Sequence, residues 1–347
     1  MTKCTYQDVL KQFEDVVRGK EKARTMAALI IDSPWMPGYA EIDTIDFYFD
    51  SQVWLDTYLR VRDKLAGVAF VPDMWVEFGM AAEPSGWGLQ VRWNHDSPPS
   101  LRKHPGGISA LLDLGVPDPE SDGLMPIALR QYERIKDDLG ARGLAPRMVA
   151  ARGPLAVASH LIGVTEFLMA TQLEPENCIR LLENTTELCI RWLRCQSQRI
   201  ENPLAIFVLD DVVGMMGPDD AEMFAFPFLR RIFEEFPDSV HIFHNDTPND
   251  SVYSGLSTVG IDVFNWSHEV DISRARSLLG SEIVLMGNIP PVDVLVRGST
   301  EQARKETEQM VEKAREFGPL LISAGGGVSP GTPMENLKAL VDVVRFA

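Results

Sequence analysis

Eight short β-rich runs, most of them followed by an amphipathic helical stretch, constrain this chain more than any other feature. The runs span residues 27–31, 67–71, 147–151, 205–209, 240–243, 262–266, 283–286 and 319–323. Stretches between them, such as 222–236 and 301–317, carry apolar residues at helical spacing with charges on the opposite face. Strands that alternate with helices pair in parallel, because each return crossover takes about a helix's length. Eight such units predict an α/β fold of the (β/α)8 TIM-barrel type, and a bare barrel of about 250 residues leaves about a hundred for additions. Residues 1–24 read as an N-terminal helical extension with a helix over 6–17. Residues 87–146 read as an insertion after the second strand, made of a hairpin, a Pro/Gly-rich loop and a helix. The whole chain, 1–347, then forms a single barrel domain without linker or repeat. A doubly wound sheet is the alternative that strand counting leaves open.

Composition narrows the partners. With 45% hydrophobic residues the chain can bury a full core, and 50 acidic against 33 basic residues give a net charge of -17. Such a field repels polyanions, so no nucleic-acid partner is expected. The N-terminus has no apolar signal region and no run approaches the ~18 apolar residues of a membrane span, so a cytoplasmic protein with no membrane partner is expected. Cys4, Cys178, Cys189 and Cys195 form no CxxC pair, and the last three share one helical segment. They read as reduced, mostly buried thiols.

In a barrel, chemistry sits just past the C-terminal ends of the strands. Asp73 and Glu77 follow the second run, Asp210-Asp211 the fourth, His244-Asn245-Asp246 the fifth and Ser267-His268-Glu269 the sixth. Gly287-Asn288-Ile289-Pro290-Pro291 covers the end of the seventh, and Ala324-Gly325-Gly326-Gly327 that of the eighth. His244 and Asp246, two residues apart, face the same side of a strand end and suit a divalent metal. The same pair also fits a turn in which Asp246 caps the Thr-Pro-Asn-Asp loop. Asp210 or Asp211 supplies a third ligand, or the two simply open a solvated loop. Two adjacent acids at a barrel mouth repel unless a cation or proton lies between them. Glu77 suits a ligand or a general acid, or a helix surface. His268 orients substrate or lies on the rim, and His160, in an apolar stretch entering a helix, reads as a buried structural histidine. Trp35, Tyr39 and Phe47 either wall an aromatic pocket or cap the barrel. The glycine run lacks the Lys-Ser/Thr of a nucleotide-binding loop.

Two sets of residues resemble the uroporphyrinogen decarboxylase superfamily. The first is Gly287-Asn288-Ile289-Pro290-Pro291, Leu295-Val296-Arg297-Gly298-Ser299-Thr300, Gly325-Gly326-Gly327-Val328 and Thr332-Pro333-Met334-Glu335-Asn336-Leu337. The second is Gly153-Pro154-Leu155-Ala156-Val157-Ala158-Ser159. The resemblance covers nearly the whole chain, and the final ~110 residues carry most of it. It implies a barrel, and either a decarboxylase or a cobalamin-dependent methyltransferase that uses zinc. The decarboxylases grip propionates with an Arg-containing loop after the first strand, whereas residues 25–59 contain neither Arg nor Lys. The thiol-methylating branch carries His-x-Cys on the fifth strand and a Cys in the glycine loop. Counted from Gly260, these fall on His244, Asp246 and Gly326, while aligning His241 instead would put Phe243 at the Cys position. Carboxylates in place of thiolates make zinc a harder Lewis acid, suited to an oxygen ligand.

The resemblance therefore implies a methyltransferase that moves a methyl group from a small methoxylated substrate to the Co(I) of a separate corrinoid protein. Zinc would rest on His244, Asp246 and Asp211. Glu77 and Asp210 are the candidate catalytic carboxyls, with Glu77 protonating the leaving oxygen. Trp35, Tyr39, His268 and Asn288 would bind substrate, and cobalamin would arrive on the partner chain. The alternatives are a decarboxylase of a smaller acid and a non-catalytic binding barrel.

Overall fold

The computed structural model describes residues 5–19, 25–201, 203–318 and 320–345. Eight parallel strands curl into one barrel-like sheet: β1 (Met26–Leu29), β2 (Ala69–Phe70), β3 (Met148–Arg152), β4 (Ala205–Leu209), β5 (Val240–Asn245), β6 (Val263–Trp266), β7 (Val284–Ile289) and β8 (Leu321–Ala324). The order is β2-β1-β8-β7-β6-β5-β4-β3, so the first strand meets the last, as in a barrel. The expected strands are all present, with ends shifted by up to three residues; Pro319 of the eighth run lies outside the described residues.

No ladder joins β2 to β3 among the described residues. Side chains bridge this seam instead. The Tyr6 hydroxyl lies 2.6 Å from Asp73 Oδ2 and 2.5 Å from the Ala145 carbonyl, linking the segment after β2 to the one before β3. Tyr58 also hydrogen-bonds Asp73, and Arg62 pairs with it at 2.9 Å. Asp73 thus belongs to the wall of the barrel and not to the carboxylates of its mouth.

The helix Tyr6–Val17 forms where expected, started by a capping box of Thr5 and Asp8. Its buried face, Val9, Leu10, Phe13 and Val16, packs in one cluster with the inward residues of the strands, Met26, Ala28, Met148, Ala150, Val240 and Ile242 among them. The alternate strand residues, such as Leu29, Val149, Val208 and Phe243, pack outward against the helical layer.

Two helical expectations are corrected. The insertion holds the hairpin (Val91–Arg92 with Ser100–Leu101) but two helices rather than one, Gly107–Leu114 and Met125–Gly140. The stretch 222–236 is not one helix: Pro218–Phe224 ends at Ala225 and Phe226–Glu234 begins anew. Pro227 offers no amide hydrogen and its ring clashes with the preceding turn, so it fits only the first turn of a new helix. Cys178, Cys189 and Cys195 lie along Pro175–Ser197 as free thiols, and burial pushes Cys178 up to about 12; Cys4 lies outside the described residues. Among the described residues no single helix is long and apolar enough to cross a membrane. The pair Pro154–Ile162 and Val164–Leu173 passes by length and composition only when joined across a 104° bend, and the first of these packs almost wholly into the core.

Candidate metal centre

The sheet register places the site. Arg152 pairs with Leu209, Leu209 with His244 and His244 with Asn265, so the ends of β3 to β6 form one row across the mouth. Val240 and Ile242 point into the barrel, and the two-residue period of a strand turns His244 the same way. Asp246 follows two residues later, and Asp211 lies two residues beyond the inward Leu209 on the neighbouring strand. One ligand atom from each of Asp211, His244 and Asp246 lies within 4.8 Å of the others. His244 Nε2 is 3.4 Å from Asp211 Oδ1, and the Asp246 amide donates to that same oxygen at 3.2 Å.

Ligand atoms around a tetrahedral zinc sit roughly 3.4 Å apart, given bonds of about 2.1 Å. One imidazole and two carboxylates at this spacing fit a divalent metal with one position left for a substrate. Burial raises the Asp246 pKa, His244 opposes that shift and Asp211 adds to it, as two carboxylates sharing a niche should.

Asn265 fixes the orientation of His244. Its side-chain amide donates to the Met286 carbonyl at 2.7 Å and the Ala324 carbonyl at 3.2 Å, spending both hydrogens. Its Oδ1 must therefore accept, and His244 Nδ1 lies 2.7 Å from it. That contact puts the ring proton on Nδ1 and leaves the Nε2 lone pair facing Asp211, the tautomer a metal ligand needs. Asn265 lies within a strand run and not at its end, so its one signal in the sequence is a polar residue at an inward position of Val263-Phe264-Asn265-Trp266.

The glycine loop after β8 closes on the cluster. Gly326 has φ +127°, and a Cβ there would come 2.5 Å from Asp246 Oδ2. A Cβ on Gly325 would meet the His268 amide at 2.5 Å, and the His268 ring is close enough to favour the ionised form of Asp246. Asn288 donates both amide hydrogens to the carbonyls of Ser267 and Val270, each at 3.0 Å, and so holds the loop that carries His268. Trp35 is buried, donates to the Thr332 carbonyl at 2.9 Å and stacks on Tyr39 with ring centroids 4.7 Å apart. It ties the loop after β1 to the loop after β8.

The two candidate catalytic carboxyls lie outside the triad. Asp210 is fully buried and its Oδ2 accepts the Leu155 amide at 2.9 Å, at the start of the helix Pro154–Ile162; burial pushes its pKa to about 8. Gly153 is needed beside it, because a Cβ would fall 2.3 Å from that oxygen. Glu77 Oε1 accepts the Ser33 amide at 2.7 Å, and its Oε2 is 3.9 Å from Arg152 Nη2. Burial raises the Glu77 pKa, while Arg152 and hydrogen bonds from Ser33 and Gly79 oppose the shift. Asp32 and Glu83, both buried, are raised by the same desolvation. His160 is partly buried, and burial together with Arg152 lowers it to about 4. His241 faces away from the mouth, its ring nitrogens against the carbonyls of Gly260 and Phe236, which leaves His244 as the histidine of β5 that reaches the cluster.

The family model for uroporphyrinogen decarboxylase (URO-D) matches residues 69–346. A uroporphyrinogen decarboxylase of Carboxydothermus hydrogenoformans is 25% identical over 267 residues, 75% of this chain and 74% of that protein. A methylated-thiol–coenzyme M methyltransferase of Methanosarcina mazei is 22% identical over 298 residues, 85% of this chain and 77% of its own. A solved methyltransferase from Methanosarcina mazei superposes with a TM-score of 0.83 at 18% identity, over 97% of this chain and 98% of that one. At that identity the superposition speaks for the fold, and the match of the family model over most of the chain places the protein in the URO-D family.

Proposed function

We propose that this chain is a methyltransferase that takes the methyl group of a small methoxylated substrate, aromatic ones included, and passes it to the Co(I) of a separate corrinoid protein. The convergence of Asp211, His244 and Asp246 at the mouth is the observation that carries this reading. A zinc ion held by these three residues would supply hard Lewis acidity to an ether oxygen. Asn265 keeps His244 in its ligating tautomer, and the loop of Gly325 and Gly326 leaves room for the Asp246 carboxylate. His268 stands beside Asp246 on the open side, where it can orient the donor. Trp35 and Tyr39 brace the rim from behind, and Asp210 and Asn288 serve by holding the backbone that carries the site.

The test is to incubate the zinc-loaded protein with cob(I)alamin and methoxylated donors and to follow release of the free alcohol or phenol. Turnover that needs zinc is the expected result; no demethylation of any donor class counts against the reading. A decarboxylase of a smaller acid has the support of the relative from Carboxydothermus hydrogenoformans. It requires carbon dioxide release with no need for cobalamin, and the absence of any Arg or Lys from residues 25–59 weighs against a polycarboxylate substrate.

A further inference from the structure

Glu77 and Arg152 face each other at the same mouth, with Glu77 Oε2 3.9 Å from Arg152 Nη2, yet Glu77 Oε2 and Arg152 Nε are buried without a hydrogen-bond partner, as is Asp210 Oδ1 at the end of β4. Arg152 ends β3 and follows the inward Met148 and Ala150 at the period of the strand. Along the row Arg152, Leu209, His244 its Cα lies two strand spacings, roughly 10 Å, from that of His244. Arg152 and Glu77 are each 5% exposed against 7% for His244, so they sit at the depth of the proposed metal ligand. The other edge of each group is spent. Arg152 Nη2 donates to the Gly79 carbonyl at 3.3 Å, and Glu77 Oε1 accepts from Ser33. Asp32 and Glu83 complete the shell, Glu83 accepting the Arg152 amide at 2.8 Å, which makes three buried carboxyls to one guanidinium.

We propose that Arg152 and Glu77 form a second ligand subsite that takes a neutral hydroxyl group. Resting on the methyl-transfer reading, this makes the methyl donor a methoxylated alcohol or phenol, with its methoxy oxygen at the triad and its free hydroxyl at Arg152. One hydroxyl satisfies both orphans: its oxygen accepts from Arg152 Nε and its hydrogen goes to Glu77 Oε2. It also serves when Glu77 is protonated, since it then accepts from both. A carboxylate would add a fourth acidic group to a shell with one cation, an ammonium offers Arg152 nothing, a methyl group leaves both atoms bare, and an ether serves Glu77 only when that carboxyl is protonated, whereas a hydroxyl serves it in either state.

The experiment is calorimetric binding of matched pairs to the full chain: phenol against toluene, and para-methoxyphenol against para-methoxytoluene, with para-methoxybenzoate as the anionic probe. The hydroxyl member should bind about 10- to 100-fold tighter, the range for a hydrogen bond to a charged group. Arg152→Lys, which removes the Nε donor but keeps the charge, should shrink the preference to a few-fold, and Glu77→Gln should shrink it less. Equal binding within the pairs for the unaltered protein overturns the proposal and means that a trapped water completes the orphans. Tighter binding of the benzoate, or a hydroxyl preference unchanged in Arg152→Lys, overturns it as well. Phenol and toluene carry no methoxy group, so they read the subsite even if methyl transfer fails; zinc binding at His244 stands or falls separately.

Discussion

On the β4–β5 side of the barrel mouth, Asp211 and Asp246 gather around His244 and remain partly open. On the β1–β3 side, Asp32, Glu77 and Glu83 gather around Arg152 and are closed off. Both groups hang from the ends of the same sheet, and both are rich in carboxyls. They differ in what balances the charge. Around Arg152 the balance comes from one guanidinium and from desolvation, which pushes the carboxyls toward their neutral form. Around His244, among the described residues, no Arg or Lys pairs with Asp211 or Asp246, and the three donor atoms lie within 4.8 Å of one another. Acidic residues at a barrel mouth are thus not one feature, and the partner supplied by the fold decides whether a carboxyl holds a cation or a proton.

The contrast breaks most sharply if its metal side is removed. His244→Ala and Asp246→Ala should each weaken zinc binding by more than about 100-fold, beyond the usual effect of an outer partner, whereas Arg152→Lys should leave it within a few-fold. Equilibrium dialysis with zinc checks both. Next in size is Asn265→Leu, which frees the His244 ring. Zinc affinity should fall about 10- to 100-fold, and the nitrogen NMR shifts of His244 in metal-free protein should move from the Nδ1–H tautomer toward a mixture. Gly326→Ala comes third. Its Cβ would press on Asp246 from 2.5 Å at a φ of +127°, so a loss of about 1–3 kcal/mol in stability is expected by denaturant titration, with several-fold weaker zinc binding.

A pH effect tests the dry side. His160 is held neutral by burial and by Arg152, with its pKa near 4 in the folded chain against 6.5 for the free side chain. The unfolded chain takes up a proton first as the pH falls. The contribution of this group is therefore complete above about pH 6.5 and is lost between there and about pH 4, by up to about 3 kcal/mol. His160→Gln should flatten that part of the stability–pH curve.

Much of this was open to reading because it depends on local period. The alternation of β-rich runs with amphipathic stretches fixed the barrel, and the i, i+2 spacing of His244 and Asp246 put both on one side of a strand end. Asp211 followed because consecutive strands of a barrel are neighbours. Arg152 and Asn265 stayed hidden for the opposite reason. Each sits within an apolar strand run, and its role depends on register and on contacts 21 to 75 positions away in sequence, as with Asn265 to His244 and Arg152 to Glu77. Asp73 misled because β2 is only two residues long, so that position turns into the seam beside Tyr6 instead of reaching the mouth. In the stretch 222–236 the apolar periodicity runs on through Pro227, but the ring starts a new helix there and the pattern alone does not show the break.

The proposed function stands on a metal held by Asp211, His244 and Asp246. Metal content by inductively coupled plasma mass spectrometry, on untagged protein reconstituted with zinc and desalted, tests it most directly beside His244→Ala and Asp246→Ala. Near one zinc per chain, lost in both variants, is the expected result. Zinc-free protein after reconstitution, or zinc retained in both variants, would contradict it.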